Sequence, residues 1–352
     1  MANNENVKQA IPAMYGNFSI YGKVESINKD KFYSKTQTQR DKRSLTLGIR
    51  TSKDNFVLIP MNAVSQNNVY FVKRDPETNK TEDTKIIPWD ERNSVNLPEE
   101  YTPMSRVTVG LEQETDENGV LQNKKEHKIL FDALQDIYDL VNIGDDLYIR
   151  GSVDVESYIA QNGEKRNIVR LTPTQISKRR TNRELDFEAE DFTETNELNQ
   201  TLIPTSIEVD DDMNRAVIYG LVIGNKKEGS IEIEVTDEEN LKFVTGRLKE
   251  LIEENPYMAI RIQAKIVNQE RVPEKIWDDF LQTYVKREST NRNSSTTKYE
   301  FVSIIENSYD LTTYNQENIE EFRNAFCRGQ EEFGANSANK VAGSENNIWG
   351  SI

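Results

Sequence analysis

Apolar and polar residues alternate with a period of two in several stretches of this chain, and this pattern limits the fold more than any other feature. In residues 17–27 the alternation places Phe18, Ile20, Gly22 and Val24 on one face of an extended segment. Successive side chains of a β-strand point to opposite sides, so this segment is predicted to be a strand with one buried face. Short strands of this kind are typical of a β-sandwich or a β-barrel. The chain is therefore predicted to be mainly β, with added helices.

The first half of the chain, residues 15–183, repeats this pattern around one helix. A helix of about four turns is predicted over residues 129–141, where apolar residues recur at helical spacing before Gly144. The Asn118-Gly119 dipeptide predicts a hairpin between Val107 and Leu121, inside a long insertion that spans residues 62–124. Further strands are predicted over residues 44–50, 55–61, 147–156 and 167–176.

The second half, residues 206–328, is predicted to form a similar but less complete unit. Helices are predicted over residues 237–254 and 273–284, and no clear third strand precedes the first of them. The chain begins with a polar arm, residues 1–14, and ends with a flexible tail, residues 329–352, that has an apolar tip. Strands are predicted over residues 216–223, 230–235, 258–267 and 298–305.

Charge is distributed unevenly along the sequence. The 352 residues carry 44 basic and 60 acidic side chains, which gives a formal net charge of -16. Residues 23–50 hold eight basic and three acidic residues (+5), and residues 161–183 hold seven basic residues and one acidic residue (+6). Residues 184–212 hold eleven acidic residues and no basic one (-11), and residues 184–205 are predicted to be an acidic linker.

The sequence contains few of the residues and motifs that most enzymes need. His127 is the only histidine and Cys327 the only cysteine, which leaves no disulfide within the chain and no cysteine-rich zinc site. Neither the glycine pattern of dinucleotide-binding folds nor a phosphate-binding loop occurs. We therefore predict no catalytic residue, no metal, no cofactor and no enzymatic activity. No stretch reaches the ~18 apolar residues of a membrane span, so a cytoplasmic location is expected, in a host cell if the protein is viral.

The order of elements in the first half resembles that of an oligonucleotide-binding (OB) fold. The resemblance is carried by residues 18–24, by the helix that ends at Gly144-Asp145-Asp146, and by residues 147–153 leading into Asn162-Gly163. The chain is similar to bacteriophage and bacterial single-stranded-DNA-binding proteins with OB folds. The resemblance implies two OB-like domains in tandem. In such folds the second and third strands, together with the loops after the first and fourth strands, bind single strands.

In this sequence those loops are residues 28–43 and 157–166, which lie in the two basic windows. Trp89 is interpreted as an anchor of its own loop, with base stacking as the alternative. The expected stacking residues are Tyr21, Phe32, Tyr33 and Tyr148. The expected phosphate-binding residues are Lys23, Lys29, Lys31, Lys35, Arg40, Lys42, Arg43, Arg50, Arg150, Lys165 and Arg166. A secondary contact is expected at Tyr284, Lys286, Arg287 and Arg292, and partner docking at Ile348, Trp349 and Ile352.

The resemblance implies binding of single-stranded DNA, or of RNA, without sequence preference. It also implies a role in replication, recombination or repair of DNA, with replication or recombination proteins docking at the C-terminal tip. No oligomeric state is predicted. The main alternative is a virion, assembly or interaction protein that uses its barrels for protein contacts. A metal-dependent nuclease built around Asp210-Asp211-Asp212 is the least favoured interpretation.

Overall fold

The structure is a computed structural model that describes residues 11–160, 163–179, 185–210, 212–270, 275–278, 283–286 and 295–327. The prediction of a mainly β chain with a few helices is confirmed. One helix of the first half, α1 (Leu130–Leu140), follows the eleventh strand. The strands of this half are β1 (Gly16–Asn28), β2 (Tyr33–Lys35), β3 (Asp41–Arg50), β4 (Phe56–Val64), β5 (Asn68–Arg74), β6 (Thr81–Pro88), β7 (Tyr101–Pro103), β8 (Arg106–Gly110), β9 (Gln113–Thr115), β10 (Leu121–Asn123), β11 (Glu126–Ile129), β12 (Asp146–Ile159) and β13 (Lys165–Lys178).

The first barrel has the strand order of an OB fold, with its third strand divided in two. Strand β1 pairs antiparallel with β12 on one edge and with β3 on the other, while β4 pairs with β3 and β13 pairs with β12. Within the insertion, β8 pairs in parallel with β13, so β4 and β8 together occupy the position of the third strand. Helix α1 packs on this barrel through Leu134 and Ile137, which are fully buried.

The insertion forms its own small sheet. Strands β6, β5 and β7 pair in that order, and the Asn118-Gly119 turn joins β9 to β10. The predicted hairpin is therefore present, but Val107 lies in β8, which pairs with β11 instead. A short 3₁₀ turn, Trp89–Glu91, follows β6.

The second half forms a closed barrel of five strands. Strand β14 pairs with β15, β15 with β16, and β17 with both β14 and β20, while β16 lies parallel to β20 at the Glu234 and Glu300 pair. The helical elements are α2 (Glu238–Phe243), a π-helical segment (Val244–Leu248), α3 (Lys249–Glu254) and α4 (Gln316–Phe326). The strands are β14 (Asn196–Asp210), β15 (Arg215–Ile223), β16 (Glu228–Val235), β17 (Ile260–Glu270), β18 (Lys275–Asp278), β19 (Thr283–Lys286) and β20 (Ser295–Ile304).

Strand β14 corrects the expectation that residues 184–205 form a linker, because its first ten residues lie in that segment. Two of the core-facing positions of this strand hold polar residues: Asn196 is 2% exposed and Gln200 is fully buried. On the same face, Leu198 lies between them and Leu202 follows Gln200. The hydrophobic alternation is interrupted, so the sequence pattern missed the strand. Once β14 is counted, three strands (β14, β15 and β16) precede the helical region, and β14 is the one that the sequence did not reveal. The expected domain boundaries stay a prediction.

Two other expectations about local structure are wrong. Residues 275–278 and 283–286 are paired strands, not parts of a helix over 273–284, and their β-branched and aromatic residues favour extended backbone. At the N-terminus, residues 11–14 are not part of a free polar arm. Ile11 and Met14 are buried, and the Met14 amide donates to the Ile223 carbonyl at 2.6 Å.

The two barrels share one sheet, because β1 pairs with β14 over Gly16–Ile20. Gly16 leaves room for neighbouring side chains at the first pair: a Cβ there would lie 2.0 Å from the Oε1 atom of Gln200 and 2.8 Å from the Cβ atom of Val153. Just before β14 begins, the Glu194 carboxylate accepts hydrogen bonds from Thr51 Oγ1 at 2.5 Å and from Lys265 Nζ at 3.3 Å. Asn55 Nδ2 donates to the same carboxylate at 3.3 Å and to the Ile266 carbonyl at 2.9 Å. This network ties β3 and β4 of the first barrel to β17 of the second.

We predict that Glu194→Ala lowers the free energy of unfolding by about 1–3 kcal/mol, because the buried side chains of Thr51 and Asn55 lose an acceptor. Burial raises the pKa of Glu194, but the hydrogen bonds from Thr51 and Asn55 and the charge of Lys265 outweigh it, so the pKa is lowered. A carboxylate with a lowered folded-state pKa stabilises the protein above its unfolded pKa, and this contribution is lost as the pH falls through the folded value.

Urea unfolding of the variant at pH 7 and in acid measures both effects. The difference from the natural protein should shrink in acid, and Glu190→Ala, at an exposed position, should cost less than about 0.5 kcal/mol. Equal losses for the two variants would contradict the role of Glu194.

Candidate nucleic-acid interface

The outward-facing side chains of β1, β3 and β4 form one continuous surface, here called the outer face. The strand register places Arg50 beside Lys23 on one side and beside Phe56 on the other. Gly48 leaves room for the Phe56 ring, since a Cβ there would lie 2.4 Å from a ring carbon. The full set is Lys23, Ser26, Asn28, Lys42, Ser44, Thr46, Gly48, Arg50, Phe56, Leu58, Pro60, Asn62 and Val64.

The loop between β1 and β3 is anchored on helix α1 by aromatic packing. The Phe32 ring stacks on Tyr138, with 4.3 Å between ring centroids, and is only 3% exposed. Lys29 also contacts Tyr138: its Nζ atom lies 4.6 Å from the centroid of the Tyr138 ring and donates a hydrogen bond to the Tyr138 carbonyl. The expectation that Phe32 stacks on a base is therefore corrected, because its ring is enclosed by the loop that it anchors.

Tyr33 is oriented differently from its neighbour. It is 61% exposed, meets the edge of Phe32 at 4.6 Å, and donates from its hydroxyl to Gln135 of α1. The guanidinium of Arg43 lies 5.5 Å from the Tyr33 ring centroid. This ring is held at its edge and remains open to solvent.

Several of the cations expected to bind phosphate are paired with carboxylates. Arg50 of β3 donates two hydrogen bonds to the Glu25 carboxylate of β1, one of them 2.8 Å long. The other pairs are Lys35 with Asp41 at 2.9 Å, Arg43 with Asp132 at 3.5 Å, Lys165 with Glu228 at 4.0 Å and Arg166 with Glu164 at 3.0 Å. In the part of the chain that the structure describes, the cations of this set without an ion pair are Lys23, Lys29, Lys31, Arg40, Lys42 and Arg150.

The hairpin of β12 and β13 packs against the second barrel. Lys227 Nζ contacts Asp154 Oδ2 at 2.6 Å and Glu156 Oε2 at 2.9 Å. Burial lowers the pKa of Lys227, but these two carboxylates outweigh it, so the pKa is raised. A Cβ on Gly229 would lie 2.6 Å from the Glu156 amide nitrogen, so the backbones approach closely. The basic end of this hairpin is therefore positioned by barrel contacts that the sequence did not reveal.

Tyr21 and Tyr148 are cross-strand neighbours on β1 and β12, and both are half-buried. Burial raises the pKa of Tyr21 to about 12, although the nearby charge of Arg179 lowers it. The Arg179 guanidinium lies 5.5 Å from the Tyr21 ring centroid. Arg150, two residues further along β12, is exposed.

Other expected site residues lie partly or wholly outside the described residues. Tyr284 and Lys286 belong to β19, of which only the backbone is described. Arg287, Arg292, Ile348, Trp349 and Ile352 lie outside the described residues. Among the residues that the structure does describe, no cluster of three or more metal-ligating side chains occurs. No helix in this part of the chain is long and apolar enough to span a membrane.

Sequence reasoning missed Phe56 as a candidate contact. The residue lies in a predicted strand, but an isolated phenylalanine in a strand is usually a core residue. The register could have identified it. Leu45, Leu47 and Ile49 point into the core, so Arg50 and its cross-strand partner Phe56 point to the opposite, outer side of the sheet.

Comparison with known proteins identifies one family and gives weak structural likenesses. The model of the YorF family matches residues 16–338. No curated protein matches the sequence. The wild-type single-stranded DNA binding protein from Thermus aquaticus aligns with a TM-score of 0.35 and 12% identity, over 86% of this chain and 95% of that chain. A deletion mutant of it aligns at 0.35 and 11%, over 83% and 94%.

A Replication Protein A heterotrimer bound to single-stranded DNA aligns with a TM-score of 0.20 and 8% identity, over 92% of this chain and 99% of that chain. All three TM-scores lie below 0.5. Likenesses at that level carry no information about function.

The loop geometry predicts unequal effects of its two aromatic residues on stability. Phe32→Ala removes a buried, stacked ring and should lower the free energy of unfolding by about 3–5 kcal/mol. Tyr33→Ala removes an exposed ring and should cost less than about 1 kcal/mol. Urea unfolding followed by circular dichroism measures both, and similar losses for the two variants would contradict the assignment of Phe32 as the anchor.

Proposed function

This chain belongs to the YorF family, and we propose that it binds single-stranded DNA on the outer face of its first barrel. The observation that carries the proposal is a set of cations beside that face that have no ion pair among the residues that the structure describes. Lys31 and Arg40 lie on the loop after β1, and Lys42 extends from β3. Binding without sequence preference requires such cations to follow the phosphates of an extended strand.

The overall charge of -16 is compatible with this proposal because charges act locally in physiological salt. The Debye length is about 8 Å at physiological ionic strength, so distant exposed carboxylates are largely screened. Two carboxylates near the site are already engaged: Glu25 with Arg50 and Asp41 with Lys35. Cations without such a partner can exchange solvent and counterions for phosphate.

Bases would stack on exposed or partly exposed aromatic rings on the outer face and beside it. Tyr33 is exposed above the loop, Phe56 lies across Gly48, and Tyr148 lies on the neighbouring strand. Stacking on such rings contributes ~1–3 kcal/mol for each base and tolerates any base, since all bases have a flat face. A face that combines cations with accessible rings fits a single strand better than a duplex, whose bases are already stacked.

The finer roles remain part of the proposal. The protein acts in replication, recombination or repair of a phage or bacterial genome. The second barrel makes a lesser DNA contact, and partner proteins dock at the C-terminal tip. The absence of catalysis is proposed on the same grounds, because single-strand binding requires no chemical step. The competing proposal, a barrel protein that contacts only other proteins, predicts no affinity for oligonucleotides.

We predict that replacing Lys31, Arg40 and Lys42 together by Gln weakens binding of labelled oligo-dT by tenfold or more at 50 mM salt. Each phosphate neutralised on a single strand contributes about -0.7 to the slope of log K against log salt concentration, so the slope should become less steep by about 2. Fluorescence anisotropy at several salt concentrations measures both quantities.

A triple variant of Lys242, Arg247 and Lys249 to Gln is the matched control. These residues are exposed on the helical region of the second barrel and their loss changes the net charge equally. The control should bind nearly as the natural protein does. If the natural protein shows no affinity at 50 mM salt, or if both triple variants lose affinity equally, the proposed function or the proposed face is wrong.

A further inference from the structure

A cavity of about 400 Å³ lies beside the outer face, between the end of β4, the insertion sheet and the start of helix α1. Its walls include Tyr70 of β5, Trp89 after β6, and Phe131 of α1. Arg40 lines it from the loop after β1, and Asn62 lines it from β4. Because Asn62 also belongs to the outer face, the cavity is continuous with the surface proposed to bind DNA.

The aromatic walls are held in place by stacked cations. The Trp89 and Phe131 rings meet edge to face, with 5.1 Å between centroids. The Arg92 guanidinium lies 4.2 Å from the Trp89 centroid and is fixed by two hydrogen bonds to Asp132, of 2.8 and 3.0 Å. Arg43 lies 4.1 Å from the Phe131 centroid and pairs with the same Asp132 carboxylate. The two rings are therefore oriented before any ligand arrives.

The rest of the lining is suited to a flat, anionic ligand. Tyr70 and Met104 are exposed, and Arg40 has no ion pair among the described residues. Ser65 and Ser105 supply hydroxyl groups that can hydrogen-bond to a polar edge. No carboxylate occurs among the described lining residues, in a chain with 60 acidic side chains.

We propose that this cavity receives one unstacked base of the bound single strand, with an adjoining phosphate on Arg40. The inference rests on the proposed function and adds a base-binding pocket to it. The cavity volume falls in the ~300–1,000 Å³ range of small-molecule sites, so it accommodates a single nucleotide. Its rings provide the flat contacts on which an exposed base stacks. A base bound there would lie outside the groove that the barrel strands form by themselves.

Trp89 provides a direct signal for the test, because the chain has only three tryptophans. The full chain with Trp277→Phe and Trp349→Phe retains Trp89 alone. It is titrated with labelled oligo-dT and with an abasic oligonucleotide of the same length, with label anisotropy reporting binding and Trp89 emission reporting the cavity. We expect oligo-dT to quench Trp89, and the abasic strand to bind while leaving Trp89 emission nearly unchanged.

A second variant tests the cavity without altering its rigid walls. Met104→Glu places a carboxylate at the exposed edge of the cavity and should weaken oligo-dT binding about tenfold, the order expected for losing one stacked base. Met213→Glu adds the same charge at an exposed methionine in the turn between β14 and β15, and should change affinity less than twofold.

The outcomes separate the two proposals. If oligo-dT binds but Trp89 emission is unchanged, or if both glutamate variants bind alike, the pocket is refuted and the proposed function stands. Equal quenching by the abasic strand would mean that the cavity contacts only the sugar-phosphate backbone, which also refutes a base pocket. If anisotropy detects no binding by any strand, the proposed function fails and the pocket fails with it.

Discussion

Strand β1 carries the backbone hydrogen bonds that the rest of the structure depends on. One of its edges pairs with β12, while the other pairs first with β14 of the second barrel and then with β3 of its own. A strand has only two edges, so the change of partner fixes where the second barrel begins relative to the first. The Glu194 network lies at this change of partner, and the Lys227 contacts hold the β12–β13 hairpin on the other barrel.

This arrangement determines which cations are available for a ligand. Contact between the barrels places Glu228 near Lys165, and strand pairing across β1 places Glu25 beside Arg50. Both cations are partly neutralised, whereas Lys31 and Arg40, on a loop that Phe32 anchors from below, have no ion pair in the described part of the chain. The same loop contributes Arg40 to the cavity lined by Trp89. Packing of the loop on helix α1 therefore links the outer face to the aromatic cavity.

Local pattern was sufficient where one face of an element is uniformly apolar. Phe18, Ile20 and Val24 predicted β1 within one residue at each end, and the stripe through Leu134 and Ile137 predicted α1. The pattern failed at β14, because the polar residues Asn196 and Gln200 face the core there. Asn196 forms hydrogen bonds with the backbone of Ile266, and Gln200 occupies the space left by the missing side chain of Gly16. Such compensation between distant residues leaves no periodic signal.

The sequence by itself determined a mainly β chain, the OB-like order of strands in the first half, and a basic loop after the first strand, because alternation and charge are local properties. It also identified most of the cations and rings from which a binding face could be built. Tertiary structure alone decided which of them are usable, since Phe32 and Tyr33 are adjacent in sequence yet one is enclosed and the other exposed. It likewise decided that Trp89 and Phe131, 42 positions apart, form one cavity. Exposure and ion pairing depend on contacts between distant segments, which no local pattern encodes.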